Sequence, residues 1–551
     1  MMRRIFNFSG GVKLREHKRV STASPVTKSS IPDTLILPLS QHIGSPSRPI
    51  VKPGDKVLKG QIIAEAANEV SVPLHAPTSG KILAIENRPV PHPSGIPAQC
   101  IVINTDGKDI AIEGYDQEQD HSNLSPTDII QKIRQAGIVG LGGAGFPTYM
   151  KLANEKHNVD TLILNGVECE PYITCDQMLM QTHADDIIKG MLITQKALGA
   201  KRCIIAIENN KPKALEALSE ATDNISSSVE VEIVQVPTVY PAGGEKQLIQ
   251  TLTNKEVPSQ GLPMDIGIVC HNVGTVYAIT RALEYNEPLV SRYITVAGSV
   301  AKARVMEVLI GTPISHLIEE CGGNRKTLSK VIMGGPMMGY ALHDDETPVV
   351  KITNCVLVNA TIGDVPLPSR SQQAMPCIRC GACAEACPVG LLPQQLYWYA
   401  RAKEFDKVQD YNIFDCIECG CCDYVCPSHI PLVSYYRYAK TTIWKNEQEK
   451  IASDISRQRH EFHNLRIERI KQEREERHKK KRQSIDTKSG ADSKQAAIKA
   501  AMERVKAKRE GSKVEPKNTT ELTEQQQKLI DEVNARRKKK LESINKKNDS
   551  K

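Results

Sequence analysis

Two cysteine runs between residues 377 and 427 have the most informative spacing in this sequence. Each run reads C-x2-C-x2-C-x3-C followed by proline, the pattern that binds [4Fe-4S] clusters in bacterial two-cluster ferredoxins. Short links keep three sulfurs of a run convergent on one cubane, and the fourth cysteine ligates the other cluster. The predicted ligands are Cys377, Cys380, Cys383 and Cys426 for the first cluster, and Cys416, Cys419, Cys422 and Cys387 for the second cluster.

The two runs also form an internal repeat, because they align without a gap at an offset of 39 residues. Cys421 aligns with Ala382 and is therefore predicted to be a spare thiol. Arg379 and Glu418 are equivalent, and a positive charge favours the more negative, reduced cluster, so the first cluster is predicted to have the higher potential. A pair of zinc ribbons is the alternative, but zinc requires only four ligands per site and no crossed spacing.

The length and the other cysteines restrict the class of protein. A chain of 551 residues is predicted to hold several domains, because one core rarely grows beyond about 250–300 residues. The seven cysteines outside the repeat have no framework spacing, which indicates a reducing compartment. No apolar stretch approaches the ~18–20 residues of a membrane helix, and the basic N-terminus lacks the apolar region of a secretory signal. We expect a soluble or membrane-peripheral protein on the cytoplasmic side.

Residues 33–115 read as short β runs that are separated by turns such as Gly54-Asp55 and Ser79-Gly80. This region resembles the biotinyl/lipoyl-type barrel-sandwich fold. Carrier domains of that fold place a lysine at the hairpin, whereas residues 65–69 here contain none, so we expect a structural role. Residues 1–32, which precede this region, are polar and basic and are predicted to wrap loosely over the remainder of the chain.

Residues 125–285 read as an α/β domain with a glycine-rich loop. Five glycines between residues 137 and 145 let backbone amides approach an anionic ligand, and a following helix start would add its dipole. A buried strand then ends in a polar cluster at residues 165–171, where open α/β sheets bind ligands. The loop lacks the spacing of the dinucleotide fingerprint and of the Walker loop, so a tight structural turn is the alternative.

Four segments in this domain resemble, in the same order, the flavin- and NADH-binding subunit of respiratory complex I and related diaphorases. They span residues 140–151, 165–171, 242–249 and 270–275. The resemblance implies that the loop cradles the FMN phosphate or the nucleotide, that Phe146 stacks on a ring, and that polar residues line a flavin/NADH cleft. The implied residues are Gly142, Gly143, Gly145, Phe146, Lys151, Asn165, Asn272 and Thr275 for the cofactor, with Glu168, Glu170 and Glu245 as catalytic carboxylates.

Three positions depart from the pattern of that family. Val167 replaces an aspartate, and Lys246 and Gly274 replace glutamates. The loss of three carboxylates affects the expected nicotinamide geometry more than the flavin site.

The remaining regions complete the domain order. Residues 290–350 resemble the ubiquitin-like β-grasp (SLBB-like) domain of the same family, and residues 365–440 form the predicted ferredoxin domain. Residues 446–551 are low in large apolar residues and lack sustained heptads, so we expect a charged, partly helical or disordered tail. Attachment of its basic blocks to an anionic membrane surface is the alternative. No aromatic platform accompanies them, and no specific nucleic-acid partner is expected.

The whole order of domains over residues 5–445 resembles the C-subunit family of the Rnf, or Rsx, ion-translocating electron-transport complexes. The resemblance implies a multidomain α/β and α+β protein, peripheral on the cytoplasmic side of the cell inner membrane. It would pass electrons between NADH, FMN, two [4Fe-4S] clusters and the other subunits of a translocase. A soluble cobalamin reductase of the propanediol-utilisation type and a non-catalytic iron–sulfur relay are the alternatives.

Overall fold

The computed structural model describes residues 4–153, 158–224, 229–324, 330–359, 361–362, 365–366, 374–486, 491–510, 531 and 533–535. Two compact units divide the chain, Met1–Asn446 and Glu447–Lys551. Within the described ranges, no helix combines the length and the apolar composition that a bilayer crossing requires.

A barrel-sandwich region follows the N-terminal segment and contains two antiparallel sheets, ordered β2-β8-β7-β4 and β3-β5-β6. Leu35, Leu37, Ile101 and Ile103 of the four-stranded sheet pack in one apolar core with Ile63 and Leu74 of the three-stranded sheet. The strands are β2 Thr34–Pro38, β3 Arg48–Pro49, β4 Lys56–Val57, β5 Ile62–Glu65, β6 Leu74–His75, β7 Gly80–Arg88 and β8 Ala98–Thr105.

The α/β region contains a parallel sheet of four strands in the order β11-β10-β9-β12. Strands β9, β10 and β12 are apolar runs buried on both faces, as parallel sheets covered by helices require, whereas the edge strand β11 is only partly buried. The elements are α1 Pro126–Gln135, α2 Thr148–Leu152, β9 Thr161–Gly166, α3 Cys175–Thr182, α4 Ala184–Leu198, β10 Arg202–Glu208, α5 Pro212–Asp223, β11 Glu230–Val236, α6 Glu245–Thr253, a 3-10 turn Pro263–Ile266, β12 Ile268–Asn272 and α7 Val273–Glu284.

A six-stranded mixed sheet comes next, ordered β1-β14-β13-β17-β15-β16, and α8 packs on it. Its first strand comes from the N-terminal segment, because Thr27 pairs in parallel with Met306. The elements are β1 Thr27–Lys28, β13 Ser291–Gly298, β14 Arg304–Leu309, α8 Ile314–Glu320, β15 Val331–Met333, β16 Tyr340–Ala341 and β17 Cys355–Val358, and a separate hairpin is formed by β18 Thr361–Ile362 and β19 Val365–Pro366.

The ferredoxin region repeats one backbone motif twice. Arg379 and Glu418 both have a positive φ (58° and 56°), and so do Gly381 and Gly420 (83° and 79°), each just before a short helix. The internal repeat is therefore present in the backbone as well as in the sequence. The helices are α9 Ala382–Glu385, α10 Pro393–Ala402, α11 Phe405–Asp410, a 3-10 turn Ile413–Asp415, α12 Cys421–Tyr424, α13 Leu432–Asp486 and α14 Ala491–Glu510.

The expectation that the N-terminal segment wraps loosely is wrong for its described residues. Phe6 N donates to Thr251 O at 2.9 Å, Val12 pairs with Tyr240, and Ser29 N donates to Glu307 O at 2.9 Å. The polar composition did not predict these contacts, because they are made largely by backbone groups, which every residue has.

Candidate functional site

Two asparagines lie side by side at the carboxyl edge of the parallel sheet. Asn165 at the end of β9 is in register with Asn272 at the end of β12. The Asn165 amide donates to Gly243 O at 2.8 Å, and Asn272 caps α7 by accepting from Gly274 N at 2.9 Å. The sheet therefore brings together two predicted residues that are more than one hundred positions apart, because parallel strands end at a common edge.

The glycine-rich loop lies against this edge and is exposed at Gly142 and Gly143. A Cβ atom at Gly142 would lie 3.2 Å from the Asn272 side chain, whereas one at Gly143, where φ is +125°, would meet open space. Gly145 has a different role, because it is buried and a Cβ atom there would lie 2.7 Å from Ile352. Two of the three predicted glycines are thus exposed on the loop, and the third is buried in its turn.

Two further predicted residues support the loop and its rim. Thr275 is fully buried, and its hydroxyl accepts from Leu141 N at 2.9 Å, so it holds the loop from behind. Lys151 pairs with Glu245 at 2.8 Å and also donates to Cys270 O at 3.1 Å. Phe146 is half-buried. The Lys151–Glu245 pair therefore lies at Cys270 on β12, the strand that ends at Asn272.

Glu168 is buried and turned towards the start of α3. Its carboxylate accepts from Asp176 N at 2.8 Å and from Gln177 N at 3.3 Å. These amides have no partner within the helix, so a carboxylate there is stabilised. The structure thus gives Glu168 a capping role.

Glu170 lies beneath the loop between β15 and β16. It accepts from Met338 N at 2.6 Å, and its Oε2 atom is buried without a hydrogen-bond partner among the described residues. A Cβ atom at Gly335 would overlap this carboxyl group. Burial raises the pKa of Glu170 from its usual 4.5 to about 7, and the amides of Met337 and Met338 oppose the shift. The carboxyl group can therefore gain or lose a proton near neutral pH.

The raised pKa of Glu170 predicts a pH-dependent stability difference. Between pH 4.5 and about 7 the unfolded chain loses this proton before the folded chain does, so stability falls as the pH rises through this window. The Glu170→Gln variant lacks this titrating carboxyl group. We expect its unfolding free energy, relative to the unsubstituted protein, to rise by on the order of 1–3 kcal/mol across the window. Thermal unfolding from pH 4.5 to 8 measures the difference, and a constant gap would contradict the assignment.

Asp176, which no sequence motif had indicated, also belongs to this group of polar residues. It accepts from the Asn272 amide at 2.6 Å, and burial together with Glu168 raises its pKa to about 6. Its carboxylate, that of Glu168 and the Cys175 thiol lie within 4.8 Å of one another, and the buried guanidinium of Arg292 works against the rise in the pKa of Asp176. Asp176 lies only five residues after Pro171, and this proximity to the polar cluster was the available signal.

The three residues that depart from the family pattern lie in different environments. Val167 is buried in the apolar core below the sheet edge. Lys246 points to the ferredoxin region, where its ammonium group lies 3.7 Å from Asp415. Gly274 donates its amide to Asn272. The exposed glycines, the paired asparagines and the Lys151–Glu245 pair remain, and this donor set fits a flavin phosphate with its polar ring edge.

Two cavities in the ferredoxin region collect the predicted cluster ligands. Each cavity is lined by the three predicted ligands of one run and by the last cysteine of the other run. The first cavity is lined by Cys377, Cys380, Cys383 and Cys426, and the second by Cys387, Cys416, Cys419 and Cys422. All sixteen cysteines are free thiols, so these eight are available as ligands. The arrangement fits two cubanes with exchanged fourth ligands.

Cys421, predicted to be spare, also lines the second cavity and is fully buried. Its sulfur lies beside Cys419, with which it shares a hydrogen bond. Its position in the cavity therefore does not distinguish Cys421 from the four predicted ligands. The internal repeat remains the reason for excluding it as a ligand.

The second cavity is the one that adjoins the α/β region. Tyr240 donates its hydroxyl to Cys419 O at 2.6 Å, and Gln247 donates to Pro388 O at 3.4 Å. Cys169, from the polar cluster after β9, packs in the same apolar group as Tyr240, Cys419 and Cys421. On the first cavity, by contrast, Cys380 is exposed.

The sequence predicts a negative charge near the second cluster from Glu418, but in the structure this carboxylate is paired with two cations. Glu418 pairs with Arg437 at 2.8 Å and with Lys440 at 2.9 Å, and these contacts, working against burial, hold its pKa below its usual range. The carboxylate is thus offset by two cations from α13. The predicted higher potential of the first cluster stays untested, but it loses the charge argument on which it rested.

Four domain families match the chain. They are the Nuo51 FMN-binding domain at residues 133–281, the RnfC barrel sandwich hybrid domain at 6–108, the SLBB domain at 293–341 and the 4Fe-4S dicluster domain at 376–430. These matches confirm the predicted fold class, with an FMN domain and a two-cluster domain in one chain. They also exclude the alternative of two zinc ribbons.

Whole-chain relatives share one description, the C subunit of an ion-translocating oxidoreductase complex. The Vibrio cholerae serotype O1 protein is 46% identical over 92% of this chain and 65% of its own length, so the chain spans slightly less than two thirds of that relative. The Serratia proteamaculans protein is 44% identical over 92% of this chain and 70% of its own length. A chain of the air-oxidized NAD+-reducing [NiFe]-hydrogenase is 23% identical over 52% of this chain and 54% of its own, with a TM-score of 0.40. With the Serratia protein matched over more than two thirds of both chains, this chain belongs to the family of C subunits of ion-translocating oxidoreductase complexes.

Proposed function

We propose that this protein is the electron-entry subunit of a membrane-bound, ion-translocating oxidoreductase complex. It would pass electrons between NADH, a flavin and two [4Fe-4S] clusters to the other subunits. The observation that carries the proposal is the direct hydrogen bond from Tyr240, on the α/β side, to the backbone of Cys419 in the second cavity. A flavin site, which handles two electrons, and two clusters, which handle one electron each, would lie in the same chain. This combination fits a subunit through which electrons enter the complex.

Flavin chemistry explains why both kinds of site share a chain. A bound flavin exchanges a hydride with nicotinamide and single electrons with clusters. The exposed amides of Gly142 and Gly143 would bind its phosphate, and the Lys151 ammonium group would offset the negative charge. Asn165 and Asn272 would orient the polar edge of the ring. Glu170, with a pKa of about 7, can hold or release a proton at its Oε2 atom without a large free-energy cost.

Electrons would leave the cleft through the second cluster and then reach the first. The second cavity is hydrogen-bonded to the α/β region, and the ligand Cys380 of the first cavity is exposed. An exposed ligand allows close approach of a partner, so the first cluster would serve the other subunits. We place these partners at the cytoplasmic side of the inner membrane and the chain as a peripheral subunit.

A non-catalytic iron–sulfur relay is the second candidate. Two observations favour it. The Glu168 carboxylate caps α3, and Lys246, which lies 3.7 Å from Asp415, stands where the family has a glutamate, so a nicotinamide site would have fewer carboxylates available.

Anaerobic titration of the reconstituted protein with NADH separates the two functions. The entry role predicts that NADH bleaches the flavin and then the clusters, whereas the relay predicts cluster reduction by dithionite alone. The Gly142→Val variant is the matched test, because its Cβ would crowd Asn272 without requiring a positive φ. We expect it to lose flavin and the NADH response and to keep dithionite-reducible clusters. If NADH reduces neither centre in the unsubstituted protein, the entry role is wrong.

A further inference from the structure

The N-terminal strap, residues 6–18, touches both halves of the proposed electron route. It begins on α6, where Phe6 N donates to Thr251 O at 2.9 Å, and it ends at the buried Lys18. Between these points it crosses the turn that carries Cys387 and the residue Tyr240.

At the cluster end, the contact is one of backbone on backbone. Gly10 has φ +64°, and a Cβ atom added there would lie 2.5 Å from Cys387 O and 2.8 Å from the Ala386 carbonyl carbon. Gly11 N donates to Ala386 O at 3.1 Å. Only glycine fits this approach, because a side chain would meet carbonyl groups that cannot rotate away.

Tyr240 links the strap to a second predicted ligand of the same cluster. Val12 N donates to Tyr240 O at 2.8 Å, Tyr240 N donates to Val12 O at 2.9 Å, and the Tyr240 hydroxyl donates to Cys419 O. Residues 10–12 therefore hold both the Cys387 turn and the Cys419 turn.

At the cleft end, the strap holds the segment that carries Glu168 and Glu170. The Lys18 ammonium group donates to Glu168 O and to Ile173 O, and Tyr172 N donates to Glu16 O at 2.8 Å. Asn210 also donates to the Glu16 carboxylate at 2.8 Å. One short stretch of chain thus grips the polar segment beside the cleft and both turns beside the second cluster.

We propose that the strap fixes the approach of the second cluster to the flavin cleft, and that Gly10 and Lys18 are positioning residues for electron transfer between them. The proposal rests on the proposed function. Transfer between two centres is sensitive to their separation, and small displacements at a reacting site cost large factors in rate. The strap joins the two sides of that gap through the backbone, whereas a role confined to general folding would leave the transfer rate unchanged.

The matched substitutions are Gly10→Ala and Gly107→Ala. Gly107 has nearly the same φ, +67°, but a Cβ atom there would meet nothing within 4 Å. Both variants thus carry the same backbone strain, and only the first presses on the Cys387 turn. Lys18→Met, with Lys18→Arg as the conservative variant, tests the other end of the strap.

Flavin-to-cluster transfer is timed by stopped flow with NADH and, independently of NADH, after flash photoreduction of the flavin in the full-length protein. We expect Gly10→Ala and Lys18→Met to slow the transfer about tenfold or more at unchanged flavin reduction, with Gly107→Ala unaffected and Lys18→Arg largely restored. Unchanged transfer in Lys18→Met, or equal rates in the two glycine variants, would overturn the proposal. If Gly10→Ala loses the second cluster, the comparison of Lys18→Met with Lys18→Arg tests the proposal instead. If NADH does not reduce the flavin but electrons still pass from the photoreduced flavin to the second cluster, the proposed function is wrong. The effect of the strap variants on that transfer can still be measured.

Discussion

Replacing Cys387 by alanine is expected to abolish the second cluster and to leave the first cluster intact, although Cys387 belongs to the first cysteine run. The physical reason is the cavity lining, because Cys387 faces Cys416, Cys419 and Cys422 and not its own run. The protein should lose about half of its iron, since one of two four-iron clusters disappears. Iron analysis and EPR of the dithionite-reduced protein measure the loss, and the missing signal should match that lost in Cys419→Ala.

The reciprocal and control variants make this prediction sharp. Cys426→Ala should remove the first cluster, because Cys426 lines the cavity of the first run. Cys421→Ala changes a buried thiol in the second cavity and should keep both clusters, as the repeat assigns this cysteine no ligand role. If Cys387→Ala instead loses the signal that Cys380→Ala loses, the ligands are not exchanged. Loss of a cluster in Cys421→Ala would show that proximity, and not spacing, selects the ligand.

The second large effect is an asymmetry between the two clusters in their response to NADH. We expect Cys380→Ala, which lacks the first cluster, to keep NADH reduction of the second. Cys419→Ala should retain a first cluster that dithionite reduces and that NADH no longer reduces at a comparable rate. The reason is the order of contacts, since Tyr240 and Gln247 bind the backbone of the second cavity, whereas Cys380 is exposed.

The test compares the two variants side by side in anaerobic stopped flow. Flavin reduction by NADH serves as the internal control, because neither cysteine lies in the cleft. Rapid NADH reduction of the first cluster in Cys419→Ala would show that the second cluster is not an obligatory intermediate. If NADH reduces the remaining cluster equally fast in both variants, the proposed order of electron transfer is wrong.

The cluster chemistry could be predicted from the sequence because its information is local. A C-x2-C-x2-C link fixes the separation of three sulfurs whatever surrounds it, and the repeat supplies the fourth position. The buried strands of the parallel sheet were visible for a similar reason, as short apolar runs such as residues 159–164. The cleft was harder, because its residues come from four distant segments and each segment alone is compatible with a structural turn.

Several predicted cleft residues show how the same motif can serve different tasks. Gly142 and Gly143 are exposed at the cleft, whereas Gly145 is buried against Ile352. Thr275 is buried behind the loop. A motif records that a residue type is needed at a position, but the direction of the side chain depends on neighbours that are remote in sequence.

The two cluster-binding runs and the repeat that relates them could be predicted from the sequence alone, because both depend on spacing. The order of the domains and the set of candidate cleft residues were implied by the resemblance of short motifs to known families. The structure was needed to show which cluster cavity adjoins the α/β region, that Glu168 caps α3, that Glu418 is offset by two cations, and that the N-terminal strap is hydrogen-bonded at both ends. Each of these depends on long-range contacts, many of them from the backbone. Such contacts leave no signature in residue type, since every residue carries the same amide and carbonyl groups.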